Sequence, residues 1–281
     1  MNRILVPVNL RSDFDNILKY ATSVGKRSGA ELTLFYYGGR RLVKGNGHFQ
    51  FEKDQAPEDF LHRVKGQRNR QNLEEIITNL LQEEINFRIK IVRGRSVSEI
   101  TRESTQEAYD LVIMGTHTSS SWGDYLRGTL ANRVIGSITT PVFIVPALTR
   151  FNDIQHITYA VDLTDYDSNV IQQVKSIAKL FDAKLSITHV NVDTEPQHKE
   201  KYLQTLERTI SDTLDYPKIY YKFFDHADPL GGIVKFVNQN NSNLVAMINR
   251  KKFSWKSIFG DQSISRKISK EVKVPVLTFR R

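Results

Sequence analysis

The chain of 281 residues contains no cysteine, which excludes disulfides, thiolate nucleophiles and cysteine-ligated metals. No apolar run approaches the ~20 residues needed to cross a bilayer. The first residues lack the charged and apolar regions of a secretion signal. A cytoplasmic location with no membrane partner is the expectation. The 7 histidines (48, 62, 117, 156, 189, 198 and 226) show no HxH or HExxH spacing, so no catalytic zinc or other metal site is expected. Neither a Gly-Lys-Ser/Thr phosphate loop nor a G-x-G-x-x-G turn follows the first strand. Ser119-Ser120-Ser121 has no histidine–carboxylate pair near it in sequence. These gaps leave no residue to name as catalytic.

What is present is the profile of a water-exposed, folded protein, 40% hydrophobic and 25% charged. The net charge of +9 is shared, with 21 basic against 16 acidic residues up to Arg150 and 19 against 15 after it. A mild excess spread over both halves suits a solvated surface, and a nucleic-acid partner is not expected.

The chain is one unit written twice. Ile4 to Leu10 is an apolar run of the kind buried on both faces of a parallel sheet. Ile17, Leu18, Ala21 and Val24 then mark a helix face closed by Ser28-Gly29, and Leu32 to Tyr37 is the next strand. Ile157 to Leu163 and Asp182 to Val190 repeat the two strands 153 positions later without a gap. The ends repeat too, with Asn243 to Met247 matching Asp110 to Met114, and Val274 to Leu277 matching Thr140 to Phe143. Trp122 and Trp255 occupy equivalent places and read as packing residues or as part of the contact between the halves. Each half fits five strands alternating with four helices, the third strands falling at Asn86 to Val92 and Lys218 to Phe224. Helices are expected over Ser96 to Ala108, Leu230 to Asn240 and Pro57 to Glu84. The fold class is therefore α/β, two tandem doubly wound, Rossmann-like parallel five-stranded sheets, with domains over 1–150 and 151–281 joined by Ala147 to Ile154. Gly38 to Arg70 is the least regular part, rich in cations. It reads either as a solvated excursion or as cations reaching over a ligand crevice.

Leu111 to Pro146 holds the densest signal. A buried strand, Leu111 to Met114, ends at Gly115, and seven of the next eight residues are small or polar. Gly128-Thr129 precedes Leu130, Val134 and Ile138, one face of a helix that Pro141 stops, before the strand Val142 to Val145. Glycine at a helix start lets an anion approach unpaired backbone N–H groups. Glycine that merely makes the turn gives the same pattern, and the residues alone leave both readings open.

The spacing resembles the nucleotide loop of the universal stress protein family, in which a glycine, two residues, a second glycine, nine residues and Gly-Ser/Thr follow the fourth strand. Gly115 matches the first glycine and Gly128-Thr129 the last pair, while Thr118 stands at the second glycine. The resemblance implies an adenine nucleotide alpha hydrolase-like fold and an ATP or related adenine nucleotide site, with Mg as its companion ion. The positions it implies are Pro7, Val8, Asn9, Gly94, Met114, Gly115, His117, Thr118, Gly128, Thr129 and Leu130. Asn9 replaces an aspartate that many members place at the end of the first strand. The second half keeps it as Asp162, equally a turn-capping residue. That half carries Ile248, Lys251 and Gln262-Ser263 where the loop glycines would stand. The resemblance further implies a stress-adaptation binding module with at most slow ATP hydrolysis. It also implies pairing of the fifth strands, 142–145 with 276–279, as a pseudo-two-fold intramolecular dimer, either alone or as a homodimer of such pairs. A scaffold of the same fold that binds no nucleotide is the alternative.

Overall fold

A computed structural model describes residues 1–8, 14–37, 49–92, 96–115, 130–146, 149–161, 167–192, 204, 215–249 and 274–280. The chain divides into two compact units, the first including 1–116 and the second 148–281.

In the first unit, β1 (Arg3–Val8) leads into α1 (Phe14–Ser28) and β2 (Glu31–Tyr36). After β3 (Phe49–Glu52) come α2 (Pro57–Arg63), α3 (Gln67–Gln82), β4 (Phe87–Ile91), α4 (Ser96–Gln106), β5 (Leu111–Gly115), α5 (Leu130–Ile135) and β6 (Val142–Val145). The strand order is β3-β4-β2-β1-β5-β6. All neighbours are parallel except β3, which runs antiparallel to β4. Succession moves outward from β1 through β2 to β4, then returns to β5 on the other side of β1. That reversal is the doubly wound signature, and it opens a crevice beyond the carboxyl ends of β1 and β5.

The second unit holds β7 (His156–Ala160), α6 (Ser168–Phe181), β8 (Lys184–Asn191), β9 (Ile219–Asp225), α7 (Pro229–Gln239), β10 (Leu244–Asn249) and β11 (Val276–Arg280). Its order, β11-β10-β7-β8-β9, is the same winding with every pair parallel.

The repeat extends to single residues. Helices α1 and α6 are followed by left-handed residues at equivalent positions, Gly29 (φ 70°) and Asp182 (φ 52°). Such a residue ends a helix by turning the chain out of it. At the amino end of the sheet, the Asp110 carboxylate accepts from the Asn2 and Arg3 N–H groups at 2.5 and 3.0 Å. Its counterpart Asn243 accepts from Gln155 and His156 N–H, both at 3.0 Å. In each unit one side chain before the fourth repeated strand thus fixes the start of the first.

Three expectations need correction. The first unit has a sixth strand, β3, inside the stretch read as irregular. It is only four residues long, and its one buried side chain, Phe51, packs on Phe60 and Phe87 with ring centroids 5.2 and 6.1 Å away. The helix expected over Pro57 to Glu84 is two helices, broken where Val64 is buried in extended backbone and Gly66 takes φ 84°, a conformation only glycine adopts freely. Helix α5 ends at Ile135, well before Pro141, because a turn closes there with Ser137 and Ile138 N–H both donating to the Val134 carbonyl. Its buried face is Ala131, Val134 and Ile135, with Ile138 just beyond, while Leu130 is half-exposed.

Candidate functional site

The ladder between the two central strands of the first unit is cut short by a proline. Arg3 accepts from Asp110 N–H and Asn2 from Glu31 N–H, so the odd-numbered residues of β1 turn their backbone groups toward β5 and the even-numbered ones toward β2. Pro7 is odd and has no N–H to give β5. Pairing of β1 with β5 accordingly registers at Ile4↔Leu111 and Leu5↔Val112 only. Pairing with β2 continues to Val8↔Tyr36, and β5 stays on β6 to Gly115↔Val145. The hydrogen-bonded ladder between the two central strands therefore ends early at this edge, with Pro7 and Val8 on one side and Met114 and Gly115 on the other.

Gly115 has a packing reason of its own. A β-carbon there would run into the Ile17 side chain of α1. Its φ is not in the left-handed region. The first glycine of the matched pattern thus lets α1 lie against the end of β5.

One polar group on this edge is missing from the positions read in the sequence. Tyr36 ends β2 beside Val8, is fully buried, and its hydroxyl has no hydrogen-bond partner among the described residues. Burial pushes its pKa up, so the phenol stays protonated at any ordinary pH. A buried hydroxyl left unpaired costs about 1–3 kcal/mol. It read in the sequence as one more aromatic strand residue, and nothing there signals its lack of a partner.

Of the expected positions, Pro7, Val8, Met114 and Gly115 come together at this edge, and Leu130 begins α5. Asn9, Gly94, His117, Thr118, Gly128, Thr129 and Asp162 lie outside the described residues, as do Lys251 and Gln262. No group of three or more histidine, aspartate and glutamate side chains that could hold a metal is found among the described residues. Among the same residues no helix is long and apolar enough to cross a membrane.

The model of the universal stress protein family matches residues 1–146. The chain belongs to that family. A universal stress protein of Methanocaldococcus jannaschii is 24% identical over 153 residues, covering 51% of this chain and 93% of that one. Among solved structures, a universal stress protein from Archaeoglobus fulgidus is similar over 100% of this chain and 96% of its own, with TM-score 0.65 and 17% identity. A putative universal stress protein from Pseudomonas aeruginosa gives TM-score 0.63 at 13% identity, over 99% of this chain and 93% of its own. At such identities the likeness is one of fold.

In the second unit of this universal stress protein the equivalent ladder runs further. Ala160 stands where Pro7 stands and keeps its N–H, and β7 registers with β10 over four pairs, from Leu244↔Ile157 to Met247↔Ala160. His189 stands where Tyr36 stands, but its Nδ1 lies 3.0 Å from the Val161 carbonyl, so its ring is tied to the end of the first repeated strand.

Proposed function

We propose that this universal stress protein is a tandem, cytoplasmic binding module of stress adaptation whose first unit holds one adenine nucleotide, ATP or a relative, in the crevice between β1 and β5. The observation that carries the reading is the early end of the β1–β5 ladder at Pro7, against the longer β7–β10 ladder of the second unit. Backbone groups of Pro7, Val8, Met114 and Gly115 would line the base, and those around Gly128 and Thr129 would meet the phosphates. The unpaired Tyr36 hydroxyl fits a ligand that brings hydrogen-bonding atoms to this edge. A bound triphosphate would bring its own hydrolysable anhydride, with Mg as its counter-ion, and no residue of this chain is assigned to cleave it. Domains over 1–150 and 151–281 are proposed to pair through 142–145 and 276–279. Both are apolar edge strands that would otherwise template aggregation.

Two residues favour a second reading, a nucleotide-free interaction protein. Thr118 places a β-carbon where the family loop has glycine, and Asn9 lacks the carboxylate that accepts from two hydroxyls. Mass spectrometry of small molecules released from the purified, denatured protein, with titration by a fluorescent adenine nucleotide, separates the two. One site per chain is expected. Two equal sites would overturn the asymmetry, and no binding would establish the second reading.

A further inference from the structure

We propose that the groove between α2 and α3 is a second binding site of the first unit, one that takes a short peptide with free amino and carboxyl ends. The groove has a volume of about 410 Å³, within the range of small-molecule sites. Glu58, Leu61 and His62 of α2 form one wall, and Gln67, Arg70, Gln71 and Glu74 of α3 form the other. These positions recur at three and four residues, so each set is one helix face. The residues that hold the two helices down are Phe60 of α2 and Leu73, Ile77 and Leu80 of α3. None of those lines the groove, so its polar groups are not part of the core.

The groove is polarised along its length. Read outward from the turn at 64–66, His62 and Gln67 come first, Arg70 and Gln71 next, and Glu58 and Glu74 last. At about 1.5 Å per residue, Glu74 lies roughly 6 Å beyond Arg70 along α3 and roughly 10 Å beyond Gln67. The turn end is also where α3 begins, with no side-chain cap and no acid in its first turn, so no capping side chain meets its first N–H groups. One end of the groove is therefore basic and donor-rich, and the other is acidic.

These charges are not neutralised within the chain. Each wall carries an acid and a base four residues apart, Glu58 with His62 and Arg70 with Glu74, a spacing at which side chains can meet. Among the described residues neither pair closes, and none of the four side chains bonds elsewhere. On α4, by contrast, the Arg102 guanidinium closes on Glu99 at 2.7 Å. A simple anion would use only the turn end and a simple cation only the far end. A molecule with a carboxylate and an ammonium group about 6–10 Å apart uses both, and two or three peptide residues at roughly 3.3 Å each span that distance. The carboxamides of Gln67 and Gln71, one helical turn apart, each offer a donor and an acceptor, as the C=O and N–H of a peptide group require. The peptide's carboxylate thus meets His62 and Arg70, and its ammonium group meets Glu58 and Glu74.

Trialanine is the probe. Calorimetry of the whole chain should give one site with Kd at or below about 1 mM, a modest affinity because exposed ion pairs each contribute little. Heteronuclear NMR should place the shifted amides within 58–74. Acetylating the amino end of the probe, or amidating its carboxyl end, should each weaken binding at least about fivefold. The two walls can then be matched to the two ends. Arg70→Gln should erase the difference between trialanine and its amide while keeping the difference from the acetylated form, and Glu74→Gln should do the reverse. Neither side chain is buried, and unaltered circular dichroism would show that both variants fold. No binding of trialanine at about 10 mM, shifts that lie outside the groove, capped peptides that bind as well as free ones, or variants that do not separate the two ends would each overturn the proposal.

Discussion

The two units agree at the amino end of their sheets and differ at the carboxyl end. At the amino end, Asp110 and Asn243 accept from equivalent backbone N–H groups, and Arg3 and His156 occupy equivalent positions. Arg3 donates to Glu107 at 2.5 Å, while His156 Nδ1 meets the carbonyl of Asn240, the residue matching Glu107, at 2.9 Å. The partners are equivalent and only the chemistry has changed, from ion pair to neutral hydrogen bond. At the carboxyl end the backbone itself differs, since Pro7 cuts short a ladder that Ala160 lets run on. The lesson is that the end that holds the strands together tolerates side-chain exchange with the geometry kept. The end where ligands bind in such folds is where the backbone hydrogen bonding differs.

The largest effect should come from forcing the second unit to resemble the first. Ala160→Pro removes a donor from a central strand and should destabilise that unit by about 3 kcal/mol or more. Pro7→Ala should leave the stability of the first unit within about 1 kcal/mol while weakening nucleotide binding, because an N–H is offered to β5 at the crevice. Urea unfolding of both variants with nucleotide titration of the second checks this. If Ala160→Pro costs nothing, the missing N–H is not what ends the β1–β5 ladder.

A smaller effect is expected at the loop. Thr118→Gly opens positive-φ conformations that threonine reaches at a cost of about 1–3 kcal/mol, so calorimetry should find adenine nucleotide bound roughly five- to a hundredfold tighter. Gly128→Val should abolish binding. Should both be silent, the glycines are turn-makers and the interaction-protein reading replaces the nucleotide one.

Acid should separate the units with the smallest signal. Hydrogen bonds from Lys90 and Arg3 hold the Glu107 carboxyl down at about 2. A carboxylate with a lowered folded pKa contributes stability above its ordinary range, and that stability is lost as pH falls from about 4.5 toward 2. His156 is held below its ordinary 6.5, chiefly by burial. Its neutral ring favours the folded state, so the second unit should begin to weaken as pH falls through about 6.5, well before the first. Amide exchange across the two sheets from pH 7 to 3 should show that order. Glu107→Gln should remove the late loss without touching the early one.

How far the sequence could be read follows from how each feature is encoded. Buried parallel strands are continuous apolar runs, so β1 and β5 were visible within a residue or two and the start of β7 within one, and the repeat gave the winding of both sheets. Strand β3 was not, because Phe49 to Glu52 offers only one buried residue amid polar neighbours. The break at Gly66 depends on a backbone angle, and glycine in sequence announces only that such an angle is allowed. Pro7 was visible as a residue of the site. Its role was not, since the parity that aims its nitrogen at β5 exists only once strand order is known. The orphaned hydroxyl of Tyr36 and the tethered ring of His189 are properties of neighbours that sequence does not juxtapose.

The order of strands also sets a timetable for synthesis. Strand β1 is flanked by β2, which follows it closely, and by β5, which begins at Leu111. A ribosome adds roughly 5–20 residues per second, so the stretch from Tyr36 to Leu111 takes roughly 4–15 seconds to make. Through that interval the nascent β1–β2 pair waits with the β5-facing side of Leu5 uncovered, and the ion pair between Arg3 and Glu107 has only one member. The first half is therefore obliged to be an incomplete sheet for seconds at a time, long enough for a chaperone to be its first binding partner.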